Sequence, residues 1–151
     1  VDDTGKRIRP IMIHRAMFGS LERFFGVLIE HFAGAFPLWI SPRAVRIINV
    51  ADRHLDFAKE VQKKLKVLNI PIDIDFSNES VSKKIRNAQL LKINYMLTIG
   101  DKEVENSTVS LKTRDNIVHG EINIDSFIKK LEIEIEQKSL MSPYSITKDE
   151  K

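Results

Sequence analysis

Two groups of side chains in this 151-residue chain have the types and spacing to do chemistry. In the first, His14 and Arg15 follow the apolar run Ile11, Met12, Ile13, and a short Gly19-Ser20 turn leads to Arg23 in an otherwise apolar helical pattern. A helix start with glycine and arginine suits a phosphate or carboxylate, because free amides and a guanidinium both favour an anion. In the second, Asn78, Glu79 and Ser80 stand ahead of a segment, Val81 to Lys92, that holds Lys83, Lys84, Arg86 and Lys92 and no acidic residue. Amide and hydroxyl groups beside cations are what single-stranded RNA requires, donors and acceptors for base edges and positive charge for phosphates. Neither signal is specific. A single histidine beside a strand is usually structural, a short basic run usually wets a surface, and on pattern alone Asn78 or Ser80 suits capping the helix that follows better than it suits RNA.

The elements that must position these groups are legible from hydrophobic period. Leu21, Phe24, Phe25, Leu28, Ile29 and Phe32 recur on one helical face between Gly19 and Gly34, with Ser20 placed to cap the start and Gly34 to end it. The stretch from Phe36 to Pro42 has two prolines and no period, and reads as a linker. Beyond it come a β-branched run at Arg46 to Val50, a helix over His54 to Leu68, an alternating strand Ile70 to Phe76, and the helix Val81 to Lys92. A buried-type strand Tyr95 to Ile99 ends at Gly100-Asp101. This βαβαβ series implies a parallel sheet. Thr108 to Thr113 and Asn116 to His119, joined by a turn at Arg114-Asp115, are expected to extend it antiparallel, and a last helix capped by Asp125 presents Phe127, Ile128, Leu131 and Ile135.

The fold class expected is therefore α/β, a mixed five-stranded sheet flanked by helices and preceded by a strand and helix of a different unit. The expected organisation is 1–36, a linker at 37–43, a domain at 44–140, and a disordered tail at 141–151. A polar opening without an initiator methionine, and a Gly-Lys turn running into Ile11 to Ile13, suggest that the first half of a hairpin lies upstream. Ligands of open α/β sheets bind outside the carboxyl ends of the strands, which selects the loops at Ala51-Asp52, Ser77 to Ser80 and Asp101 to Asn106.

With 42% apolar residues the chain can fill a core, and it has no apolar run of membrane-span length. It has no cysteine, which excludes a disulfide framework and a thiolate metal site within the chain and makes a cytoplasmic setting the default. A net charge of +3 does not by itself demand a nucleic-acid partner.

The continuous run from His14 to His31, with Ala33-Gly34 and Phe36-Pro37-Leu38-Trp39-Ile40-Ser41-Pro42, resembles motif 3 and the domain junction of threonyl-tRNA synthetases. Tyr95 to Glu105 and Asp125 to Leu140 are similar to the anticodon-binding domain of the same class II family, so the likeness runs from Ile8 to Leu140. The resemblance implies a parent enzyme that joins threonine to its tRNA with ATP, magnesium and zinc. In it Arg23 would contact ATP, Ser20 would lie near the amino-acid pocket, and His14 would be one of three zinc ligands, the others being a cysteine and a histidine outside this chain. Such an enzyme is expected to be a homodimer, with no membrane partner; the fragment alone is expected to be inactive, to bind none of these cofactors and to be monomeric. For tRNA, Asn78 and Glu103 match family positions that contact anticodon bases, and Arg86 fits a phosphate contact. Ser80 stands where a lysine is common and Lys112 where an arginine is common; loss of the planar fork at Lys112 weakens bidentate recognition. The rival readings are a non-catalytic protein that reuses the anticodon-binding fold, which would not need to keep Arg23 in context, and a phosphoacceptor module, which would need more carboxylates after its first strand than Asp52 alone.

Overall fold

The computed structural model describes residues 1–145; the part of the expected tail at 146–151 lies outside them. Five strands, β1 (Val45–Asn49), β2 (Ile72–Ile74), β3 (Tyr95–Ile99), β4 (Thr108–Thr113) and β5 (Val118–Asn123), form one sheet in the order β2-β1-β3-β4-β5. The β2-β1-β3 part is parallel and β3-β4-β5 is antiparallel, the mixed sheet the βαβαβ pattern calls for. The helices are α1 (Leu21–Phe32), α2 (Leu55–Leu65), α3 (Val81–Leu90), α4 (Asp101–Asn106) and α5 (Ile124–Glu136).

Alternation along the central strands divides the core between the two sheet faces. Val45, Ile47, Tyr95, Leu97 and Ile99 meet Ala58, Val61 and Leu65 of α2 and Phe127 and Leu131 of α5. On the other face Ile48 and Met96 meet Ala88 of α3, with Val81 and Ile85 packed alongside. Because both faces are covered, β3 is apolar but for Thr98, as buried strands are, while β1 carries Arg46 paired with Asp73 at 2.6 Å and Asn49 against Lys84. Truncating one of these side chains to alanine costs about 2–5 kcal/mol.

Several boundaries differ from the sequence reading, each for a local reason. Ile11 to Ile13 form no strand: they are 91%, 77% and 87% exposed, and an extended segment with no partner has no ladder to join. The alternating stretch Ile70 to Phe76 yields only the three-residue β2. Pro71 has no amide to give, its carbonyl accepting instead from the Ala44 and Val45 amides, and at the other end the Asp75 amide makes the last bond to β1, to the Ile47 carbonyl, while its carboxylate turns the chain by accepting from the Ser77 amide and hydroxyl. As an edge strand β2 tolerates the proline. The antiparallel return begins later than Asn116, which turns in a left-handed conformation (φ 67°), and β5 runs on to Asn123 past a register shift at Leu111/Lys112. Asn123, not Asp125, caps α5, its side-chain oxygen accepting from the Asp125 and Ser126 amides at 2.9 and 3.2 Å.

The expected disorder of 141–151 is corrected for its first five residues. The Ser142 hydroxyl lies 2.6 Å from the Tyr95 hydroxyl, and the Tyr144 ring packs against Tyr95, Phe127 and His119. Tyr95 also donates to the buried Glu134 at 2.6 Å, so a tyrosine at the start of β3 ties the tail to α5.

Helix α1 follows its prediction closely. The Ser20 hydroxyl accepts the Arg23 amide at 3.4 Å, and Gly34 (φ 74°) returns its amide to Ile29 at 3.0 Å. No residue of α1 is buried, however, and Leu21, Phe25, Val27 and Ile29 are each at least half exposed. Its carboxyl end is held at the amino end of β3: Lys92 donates to the Ala33 carbonyl, while Asn94 and Arg114 donate to that of Phe36 at 3.0 and 2.6 Å.

Candidate nucleic-acid interface

The carboxyl ends of β1, β2 and β3 open onto one edge, and three sets of hydrogen bonds fix the loops there. The first centres on Lys84, which lies on the basic helix but is only 4% exposed. Its ammonium donates to the Asn49 side-chain oxygen at 3.2 Å, the Asn49 carbonyl at 3.5 Å and the Asp75 carbonyl at 3.1 Å, joining α3 to the ends of both β1 and β2. Burial pushes the Asp75 carboxyl up, but the two Ser77 hydrogen bonds and the charges of Lys84 and Arg46 outweigh it and hold it below the usual range.

The second set crosses from β1 to β3. Arg53 donates to both oxygens of Asp101 at 2.9 and 2.6 Å, and the Nε2 of buried His54 lies 3.0 Å from Asp101. The Nδ1 of His54 accepts the Ala51 amide at 3.2 Å, which leaves Nε2 to carry the proton toward Asp101. Hydrogen bonds from Arg53 and then His54 hold the Asp101 carboxyl well below the usual carboxylate range. The third set is within α4, where one Glu103 oxygen accepts the Gly100 amide at 2.9 Å. That oxygen would lie 3.1 Å from a Cβ at Gly100, a tight contact that a larger residue would relieve by shifting the carboxylate slightly.

Asn78 and Glu103 therefore stand on this edge, after β2 and β3 respectively, Asn78 exposed and Glu103 partly covered with one oxygen already engaged. Ser80 caps α3, its hydroxyl accepting the Lys83 amide at 3.4 Å. Arg86 projects from α3 into solvent and enters no ion pair among the described residues. Lys112 lies on β4 opposite Met96, on the sheet face that α3 covers, at the register shift with β5. The four cations of the basic helix thus do four different things. Lys83 pairs with Glu79 at 2.8 Å, Lys84 is buried, Lys92 is exposed and reaches back to the neutral Ala33 carbonyl, and Arg86 is exposed with no carboxylate partner among the described residues.

His14, Ser20 and Arg23 are not brought to this edge. They belong to the exposed segment around α1, which joins the sheet at the opposite, amino end of β3. One imidazole does not hold zinc alone, and among the described residues no three His, Cys, Asp or Glu side chains converge. A zinc site using His14 would draw its other ligands from outside these residues.

Sequence reasoning did not foresee the Arg53–His54–Asp101 network, the burial of Lys84, or α4 itself. Helix α4 is six residues with Val104 as their one apolar member and no amphipathic period, and its one signal was Gly100 followed three residues later by Glu103.

Residues 44–134 match the family described as the anticodon binding domain. The chain is 61% identical over 141 residues to a threonine–tRNA ligase of Protochlamydia amoebophila, and 51% identical over 138 residues to that of Chlamydia caviae. These alignments take in 93% and 91% of this chain but only 22% and 21% of the relatives, so the chain spans about a fifth of their length. Among solved structures it is similar to the RNA binding domain of threonyl-tRNA synthetase from Cryptosporidium parvum, with a TM-score of 0.70 and 32% identity over 87% of this chain and 32% of that one. A prolyl-tRNA synthetase from the same organism, at TM-score 0.59 and 23% identity over 68% of this chain and 23% of that one, shares the fold.

Proposed function

From the premise that this chain belongs to the anticodon-binding domain family, we propose that it reads the anticodon of the tRNA for threonine as part of a longer threonine–tRNA ligase. The observation that carries the reading is the 61% identity to a threonine–tRNA ligase along nearly the whole chain, α1 included. The carboxyl edge has the matching chemistry: amide and carboxylate groups for base edges at Asn78 and Glu103, and a cation at Arg86 for the backbone. Ser80 is committed to capping α3 through its hydroxyl oxygen, and its contribution to RNA is through that helix start. Lys112 supplies a point charge where an arginine would supply a fork, so K112R is expected to tighten base discrimination.

In the longer protein, Arg23 would contact ATP and Ser20 would border the amino-acid pocket. His14 would contribute one zinc ligand, with magnesium accompanying ATP. The exposed apolar face of α1 supports this, because Leu21, Phe25 and Ile29 need a cover that residues 1–145 do not give them. The attachment reaction itself then belongs to the assembled enzyme, which we take to be a homodimer.

The test is affinity for anticodon hairpins. This chain should bind a hairpin with a threonine anticodon and lose affinity about tenfold or more, or ~1.4 kcal/mol, when its second or third base is changed. Equal affinity for hairpins of unrelated anticodons would overturn the proposal.

A further inference from the structure

Phe76, just past β2 on the carboxyl edge, faces solvent where its register would turn it inward. Alternation from Ile72 and Ile74 would carry its ring into the core, yet it is 67% exposed, belongs to neither core cluster and stacks on no other ring among the described residues. A single exposed apolar residue is ordinary on a surface. This one differs in how it is held.

The backbone on either side of Phe76 is fixed. The Asp75 amide donates to the Ile47 carbonyl at 2.9 Å, and the Asp75 carbonyl accepts from the buried Lys84 at 3.1 Å. The Asp75 carboxylate then takes the Ser77 amide at 3.0 Å and the Ser77 hydroxyl at 2.6 Å. A ring on so constrained a turn loses little freedom when something is laid against it. Its surroundings also limit the partner. The next four residues, Ser77, Asn78, Glu79 and Ser80, are polar and exposed, so the chain that follows the ring offers amides and hydroxyls, not an apolar surface, to whatever covers it. A flat, isolated aromatic face beside amide groups and the α3 cations matches the face of an unpaired nucleobase.

We infer that Phe76 is a stacking platform for one base of the bound RNA loop, a base splayed from its neighbours while Asn78 reads an edge beside it. This rests on the anticodon-reading proposal and adds a division of labour within it. Stacking tolerates any base because every base has a π-face, so Phe76 would supply affinity and Asn78 discrimination.

The experiment titrates the 151-residue chain, native and variant, with anticodon hairpins of threonine and altered sequence, one series carrying 2-aminopurine at successive loop positions. F76A should weaken all hairpins by a similar factor, about tenfold, with F76W and F76Y restoring binding and F76L failing to. A single 2-aminopurine position should be quenched on binding to the native chain and not on binding to F76A. Unchanged melting of F76A, expected of a residue outside the core, separates this from misfolding. Native binding that F76A leaves within twofold, or a loss that F76L repairs as well as F76W, overturns the stacking role and leaves the anticodon reading standing. No binding of any hairpin by the native chain overturns both.

Discussion

Lys84 shows how much one residue's setting can depart from its local composition. It lies in a run of cations, yet its ammonium is enclosed by three oxygens from the ends of β1 and β2. Replacing it with methionine keeps the stem and strands those acceptors, at a cost of about 2–4 kcal/mol in urea denaturation. K83M, which breaks only the exposed pair with Glu79, should cost under about 1 kcal/mol. Asp101 makes a prediction about pH. Its carboxyl is held below its ordinary value of 3.8, so its contribution is present above that pH and is lost as acid protonates it in the folded state. D101N should melt below the native chain at pH 7, and the gap should close as pH falls through and below about 3.8; a gap independent of pH would show that the ion pairs are not its source.

Among the elements, those built on strong period were legible from sequence. Strands β3 and β4, helix α3 and the Ser20 and Gly34 ends of α1 fall where alternation, helical spacing and capping residues put them. What escaped depended on partners that local sequence does not name. Ile11 to Ile13 have strand residues but no strand beside them, and Phe76 continues an alternation after its ladder has ended. The candidate site was half legible: Asn78 and Glu103 could be placed on the carboxyl edge, whereas the Arg53–Asp101 pair, 48 residues apart, could not be seen before folding. The tail was misread because its anchor is a tyrosine hydroxyl nearly fifty residues earlier, 2.6 Å from Ser142. That anchor shares Glu134, whose carboxyl burial pushes up from its ordinary 4.5. The folded chain then keeps a proton that the unfolded chain has released, so stability should fall as pH rises from about 4.5 through the raised folded value. E134Q should lack this downward slope in thermal melts across the same range.

For the molecule as a whole, the sheet and its two cores lie within residues 38–131, while the segment before Ala33 lends them little. Helix α1 buries no residue and holds the rest chiefly through carbonyls at Ala33 and Phe36. A chain beginning at Ala33 should therefore lose only about 1 kcal/mol, the worth of the Phe32–Phe36 ring contact, and should bind RNA unchanged. On the proposed reading the two halves act apart, α1 packing into a catalytic unit of the longer protein and the sheet presenting its carboxyl edge to the anticodon. The most direct test is an amide-resolved NMR titration of the 15N-labelled chain with a hairpin bearing the threonine anticodon and with one altered at its second base. With the first hairpin, the account predicts shifts confined to residues 75–80 and 100–103, Lys112 and the neighbouring face of α3, with no comparable set for the altered one. Shifts centred on α5 or α1, or an identical pattern for both hairpins, would contradict it.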